Sequence, residues 1–449
     1  MLQREKKTAL LSSVPVPRAL LAMGLPTMVG MMISALYNLV DAYFVGGLGE
    51  SPMGAVAVVF PLGQVVVGLG LLFGNGAAVY IARLLGHGDR EAADRAASTA
   101  LFGSILAGAA FILCTVAFLR PVLILLGATG SILPYALTYG RIYIVSSVFN
   151  VFNVTMNNIV TSEGAAKTTM GTMLAGAALN IALDPVFIFV LDMGVAGAAI
   201  ATAISQAASA LVYLFYILRR RSIFSFSVRA CRFSREIMAE ILKIGVPTMI
   251  FQLLTSLSIA LINRQSRGCG DSVIAGLGAV SRIISMGNLM VFGFIKGFQP
   301  IAGYSYGAQN IPRLREAVRT ATLWTTGFCA VFGLGMALFP AAVISQFTPG
   351  DALFIRAGQA ALRANGLTFL LFGFYTVYSS LFLALGRAKE GFFLGLCRQG
   401  ICFFPVILLL PQVWGLNGIL YAQPIADVIS AAIAAYMAAG LHRELSPPA

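Results

Sequence analysis

The chain has 449 residues, of which 58% are apolar and 10% charged, with a mean hydropathy of +0.87. Soluble domains carry about 25% charged residues, so an ordinary soluble enzyme or binding module is excluded. The formal charge of +13 sits in short connections between apolar stretches, which reads as membrane topology and not as a nucleic-acid surface.

The first 17 residues carry Arg4, Lys6 and Lys7 but no compact apolar core with a small-residue cleavage site, so the first apolar stretch is expected to be retained. Twelve stretches are long enough to cross a hydrocarbon core of about 30 Å as helices. They cover 18–46, 53–82, 94–119, 132–160, 168–191, 195–218, 238–266, 273–302, 316–342, 353–384, 391–411 and 415–440. One set of connections is basic: Arg83, Arg90 and Arg95; Lys167; Arg219, Arg220, Arg221, Arg229, Arg232 and Arg235; Arg313, Arg315 and Arg319; Arg387, Lys389 and Arg398. The alternate set is short and poor in charge, with Glu50, Arg120, Asp192, Arg267, Asp271, Asp351 and Arg356. Basic loops face the cytoplasm, so both termini are expected there, in the plasma (inner) membrane.

The first span is interrupted by Pro26, which weakens the helix, and it places Ser34, Tyr37, Asn38 and Asp41 on one face. An intramembrane carboxylate costs several kcal/mol unless compensated. Span four adds a polar stripe through Tyr139, Tyr143, Ser146, Asn150, Asn153 and Asn157, span five carries Asn180 and Asp184 one turn apart, and span six carries Thr202. Ser34, Tyr37, Asn38, Tyr139, Asn153 and Asn157 are expected to line a substrate cavity. Counted from the charge-poor side, Asp41, Asn180, Asp184 and Thr202 lie at matching depth, so a shared site is expected. Two carboxylates together in low dielectric must take up a proton or a cation, and this oxygen-only set suits H+ and Na+ equally. No cofactor is expected. Two histidines, and six cysteines without paired spacing (Cys269 alone near a turn), point to neither a His-based metal centre nor a disulfide framework.

Beyond the basic segment the pattern returns. Gly24-Leu25-Pro26-Thr27-Met28 reappears as Gly245-Val246-Pro247-Thr248-Met249, Gly49-Glu50-Ser51 as Gly270-Asp271-Ser272, and one register pairs Gly86 with Gly307, Ala96 with Ala317, Gly194 with Gly415 and Gly197 with Gly418. Six spans per half make the repeats parallel, related by an axis along the membrane normal. The expected architecture is all-α and polytopic: twelve transmembrane helices in two parallel six-helix bundles around a central cleft. The expected units are 1–222, a basic linker at 223–236, and 237–449. The second half lacks the acids, since Asp41 corresponds to Ile262 and Asp184 to Pro405. It has Arg282 and Lys296 on span eight, Arg363 on span ten and Asp427 on span twelve, all candidates for the second-half cleft. Pairing of Asp427 with one of those three bases is expected; an unpaired Lys296 or Arg363 facing the cleft would attract an anionic group.

Taken in order, the Gly-x-Pro near the start of each half, the loops Gly86 to Ala96 and Tyr304-Ser305-Tyr306-Gly307-Ala308 to Ala317, and Glu163-Gly164 and Leu385-Gly386, each followed by a Lys, resemble the multidrug and toxic compound extrusion (MATE) family. The resemblance covers essentially the whole chain. It implies a cation-coupling site at Asp41, Asn180, Asp184 and Thr202, with Tyr37, Tyr139 and Asn157 nearby, and a helix bend at Pro26. It also implies antiport, in which inward H+ or Na+ drives export of an organic, often cationic and amphipathic, compound. The partners expected are small organic substrates and membrane lipid, and the chain is expected to be a monomer. A flippase for a lipid-linked or anionic substrate is the nearest alternative and would need a strongly basic cleft. A polytopic transferase is less well supported, because no acid cluster for magnesium pyrophosphate and no His/Asp pair is present.

Overall fold

In a computed structural model that describes residues 2–227, 229, 231, 233–266, 271–345 and 352–445, the described chain consists of helices joined by turns and loops and has no strand. Arg232, Arg267, Cys269, Gly270 and Asp351 lie outside the described residues.

All twelve expected spans are present, most with longer ends. In the first half they are Val16–Gly46, Glu50–His87, Arg90–Ala117, Leu133–Ser162, Ala166–Val190 and Gly194–Leu218. In the second they are Arg235–Ser266, Asp271–Gly307, Ile311–Leu338, Ala352–Ala384, Ala388–Trp414 and Leu416–Leu445. Eleven are apolar enough to cross a membrane by composition alone. The exception, Leu133–Ser162, carries the polar stripe of span four, and nearly all of its last turns are buried in protein. A polar helix survives at membrane depth when its neighbours, and not lipid, cover it.

The repeat is visible in backbone detail. Asp89 caps span three by accepting from the Ala92 amide at 2.9 Å, and Asn310 caps span nine from Arg313 at 3.1 Å. Short polar side chains at this position satisfy amides that the first helical turn leaves without partners. The halves differ in their wide turns. Span five has a π-helical turn at Val186–Val190, just after Pro185, which has no N–H for the Ile181 carbonyl. Span eleven has its wide turn earlier in the corresponding register, at Cys397–Ile401.

The lobes meet by close backbone approach. A Cβ at Gly297 would run into the backbone of Gly24, and one at Gly245 into that of Leu72, so spans one and eight, and spans two and seven, cross where only glycine fits. Thr27 Oγ1 donates to the Gly293 carbonyl at 2.6 Å, Asn75 to Thr248 at 3.0 Å and Gln252 to Gln64 at 2.6 Å. Nearer the basic loops, Arg83 pairs with Glu240 at 2.9 Å. Among the described residues no hydrogen bond joins the lobes closer to the charge-poor ends than Gln64–Gln252. The lobes are thus fastened on the basic side.

One helix was not expected. Leu2–Ser12 lies across the basic side, where Lys7 pairs with Glu163 at 3.1 Å and the Leu11 carbonyl accepts from Arg313 at 3.1 Å. It therefore touches both halves of the chain.

Candidate functional site

Span one runs as one continuous helix through a buried Pro26 to Gly46. Asp41 is thereby carried on the face that also bears Ser34, Tyr37 and Asn38. Helical spacing on span five puts Asn180 and Asp184 one turn apart, and both are buried, at 2% and 0% exposure. Asn180 Nδ2 donates to Asp184 Oδ1 at 3.2 Å and to Thr202 Oγ1 at 3.4 Å, joining spans five and six. Asp41 is close enough for its charge to act on Asp184 and on Tyr37, Tyr139 and Tyr143. Hydrogen bonds thus join Asn180, Asp184 and Thr202, and span one, which carries Asp41, packs against span five.

Their oxygen atoms are incompletely satisfied. Asp41 Oδ1, Asn180 Oδ1 and Asp184 Oδ2 are all buried without a hydrogen-bond partner. A buried acceptor left alone costs about 1–3 kcal/mol, and more when charged. Neither acid has a salt-bridge partner among the described residues, where the ion pairs lie elsewhere. Three orphaned acceptors, one on each of the two carboxylates and one on the Asn180 amide, suit a proton or a hard cation that takes oxygen ligands. No group of three or more His, Cys, Asp or Glu able to hold a metal occurs among the described residues.

Around this pair, Tyr139 and Tyr143 stack with ring centroids 5.8 Å apart and 13° between planes, forming one aromatic wall. Asn38 is exposed and returns its amide to the Ser34 carbonyl at 2.8 Å, leaving its side-chain oxygen available. Asn153 is turned away, since its amide donates to the side-chain and main-chain oxygens of Gln206, each at 2.8 Å. It joins spans four and six and does not point at the acids. Asn157 lies deeper, at the seam between lobes, where it accepts from Lys296.

Two expectations for the second half are corrected. Asp427 does not pair with Arg282, Lys296 or Arg363. Its partner is Arg398, at 2.8 Å, with both side chains buried. The sequence pattern groups Arg398 with the basic loop after span ten, yet it lies within span eleven, inside the wide turn Cys397–Ile401. Gln423 donates to the same Asp427 oxygen at 2.7 Å, and the guanidinium stands 4.4 Å over the Phe372 ring. An arginine inside an apolar helix carries a sequence signal, but its position close to the Arg387–Lys389 cluster concealed it. Arg282 and Arg363 are exposed. Arg282 precedes Gly293 by three helical turns and so shares the face that meets span one, whereas Lys296 is enclosed between the lobes.

Glu163 was noted only as a loop motif. It is almost fully buried and accepts from Lys7, Tyr216, Ser222 Oγ at 2.7 Å and the Ile223 amide at 2.9 Å. It ties the N-terminal helix, the loop after span four and the start of the linker together.

Comparison with known proteins agrees with this architecture. The family profile MatE matches residues 26–186 and again 247–409. The two matches begin 221 residues apart, the spacing that separates Gly24 from Gly245 and Gly86 from Gly307. Multidrug export protein MepA of Staphylococcus aureus (strain NCTC 8325 / PS 47) is 30% identical over 424 residues, covering 93% of this chain and 92% of its own. A multidrug resistance MATE family transporter of the MOP superfamily, solved in an outward-facing conformation, superposes with a TM-score of 0.92 at 27% identity over 99% of both chains. A MATE crystal structure in the straight conformation gives a TM-score of 0.92 at 26% identity, over 98% of this chain and 99% of the other. With a two-part profile match and a full-length fold in common, this chain belongs to the MatE family of membrane transporters.

Proposed function

We propose that the chain is a secondary antiporter that exports organic, cationic or amphipathic compounds in exchange for H+ or Na+ by alternating access. The observation that carries this reading is the trio of buried acceptors without partners, on Asp41, Asn180 and Asp184. A site that is electrostatically incomplete by itself is completed by a cation from solution. Thr202 supplies a fourth oxygen through its contact with Asn180.

Coupling requires that ion and substrate favour different states or compete for one. Ser34, Tyr37 and Asn38 ride on the same helix as Asp41, with Tyr139 opposite. An ion bound between spans one and five draws span one toward span five, and bending at Pro26 narrows the cavity in which the compound sits. Asn157 borders that cavity from the seam. Both termini and the basic loops face the cytoplasm of a plasma membrane, so the fastened side is the inner side and the cleft faces outward. The lobes divide at the linker 223–236, and one chain suffices as the working unit.

The test is efflux of a fluorescent cationic dye from proteoliposomes, comparing the parent with Asp41→Asn under proton and sodium gradients imposed separately. Gradient-driven efflux that disappears in the variant is expected, and the gradient that suffices names the ion. Undiminished efflux by a correctly inserted Asp41→Asn protein refutes the proposal.

A further inference from the structure

Lys296 is an intramembrane cation that the acid site does not use. It stands at the seam between lobes and lines a small cavity built from both: Asn75, Asn158 and Thr161 come from the first lobe, Lys296 and Gln299 from the second. Its one hydrogen bond is donated to Asn157 Oδ1, a neutral oxygen, and no carboxylate lies within ion-pair distance among the described residues. An ammonium has three N–H donors, so two remain.

The other walls offer donors as well. Asn75 and Asn158 each have an amide group with one N–H engaged, to Thr248 at 3.0 Å and to the Val154 carbonyl at 2.7 Å. Each retains a second N–H. Gln299 lines the same cavity, where its amide brings two N–H groups beside one neutral oxygen. The cavity therefore gathers one formal positive charge and several free N–H groups, with no formal negative charge. An unpaired charge at membrane depth costs several kcal/mol, and a counter-ion from solution removes that cost. The free space takes a single small ion or a water and is too small for an organic substrate.

We infer that this cavity is a site for a small inorganic anion of halide size, held by Lys296, Asn75 and Gln299. Because its walls belong to different lobes, the site is whole only while the lobes are fastened on the basic side. A bound anion then favours that arrangement over any in which spans two and eight separate, and does so whether or not a cation occupies Asp41 and Asp184.

The test uses the purified full chain in nanodiscs of zwitterionic lipid, titrated with chloride or bromide against gluconate at constant ionic strength. Expected is a saturable rise in melting midpoint of several degrees with either halide, accompanied by a shorter distance between spin labels on the basic ends of spans two and eight. Lys296→Met should abolish both responses. If that variant does not fold, Gln299→Leu should weaken the apparent halide affinity several-fold. Equal melting in chloride and gluconate overturns the inference, as does a full halide response in Lys296→Met. Neither readout depends on transport, so loss of this site and loss of the antiport reading are separable.

Discussion

The two lobes repeat one fold and treat buried charge in opposite ways. In the first, Asp41 and Asp184 each keep a buried oxygen without a partner, and neither has a basic partner among the described residues. In the second, Asp427 is neutralised by Arg398, supported by Gln423 and stacked on Phe372. In the register of the repeat, Asp427 answers to Gln206 and Arg398 to Ala177, so neither member of the pair has a charged counterpart in the first lobe. One lobe carries the basic partner of its acid in its own sequence; the acids of the other have none among the described residues. A duplicated scaffold thus holds unpaired acids in one copy and a neutralised acid in the other. The wide turn also differs, at Val186–Val190 in the first lobe and at Cys397–Ile401 in the second, where it contains the Arg398 that pairs with Asp427.

The comparison breaks most sharply if the acids are neutralised one lobe at a time. Asp184→Asn, like Asp41→Asn, should reduce gradient-driven dye efflux to the level of empty liposomes while leaving thermal stability unchanged or raised, because an unpaired buried acid is lost. Asp427→Asn should do the reverse. Leaving Arg398 charged and alone costs about 3–5 kcal/mol, visible as a large fall in melting midpoint in detergent. A double variant, Arg398→Met with Asp427→Leu, should recover most of that stability, since a buried ion pair replaced by apolar side chains is often neutral. If the double variant retains efflux, the second-lobe pair is structural.

Smaller changes sharpen the same contrast. Asn180→Ala removes one neutral oxygen and the donor that fixes Asp184 and Thr202, so apparent ion affinity should fall about tenfold, corresponding to roughly 1.5 kcal/mol, in an ion titration of efflux. Ser258→Ala deletes a 3.0 Å hydrogen bond to the Gln399 carbonyl in the wide turn of span eleven. Its expected effect is about 1 kcal/mol of stability with no change in ion dependence. An altered ion dependence in Ser258→Ala would show that the second lobe takes part in coupling.

Much of the fold could be read from composition and spacing. Apolar length and the alternation of basic loops give twelve helices, because a helix is the span that satisfies its own backbone in lipid. The repeated glycines give two parallel lobes, and their close crossings explain why Gly24, Gly76, Gly245 and Gly297 recur in one register. Asp41, Asn180, Asp184 and Thr202 were legible as a group because intramembrane acids are costly and helical depth can be counted. Asn153 was not separable from the cavity residues, since an inward-facing amide and one that bonds to Gln206 have the same helical address.

By itself the sequence determined the spans, the lobes, the side that carries the basic loops and the depth of the first-lobe acids, all of which depend on local period and on the cost of charge in hydrocarbon. Only the tertiary structure decided which polar groups meet: that Asp427 pairs with Arg398, that Lys296 reaches across to Asn157, and that the helix Leu2–Ser12 touches both halves. Those pairings join residues far apart in the chain, and a side chain's partner is fixed by the packing of whole helices against one another.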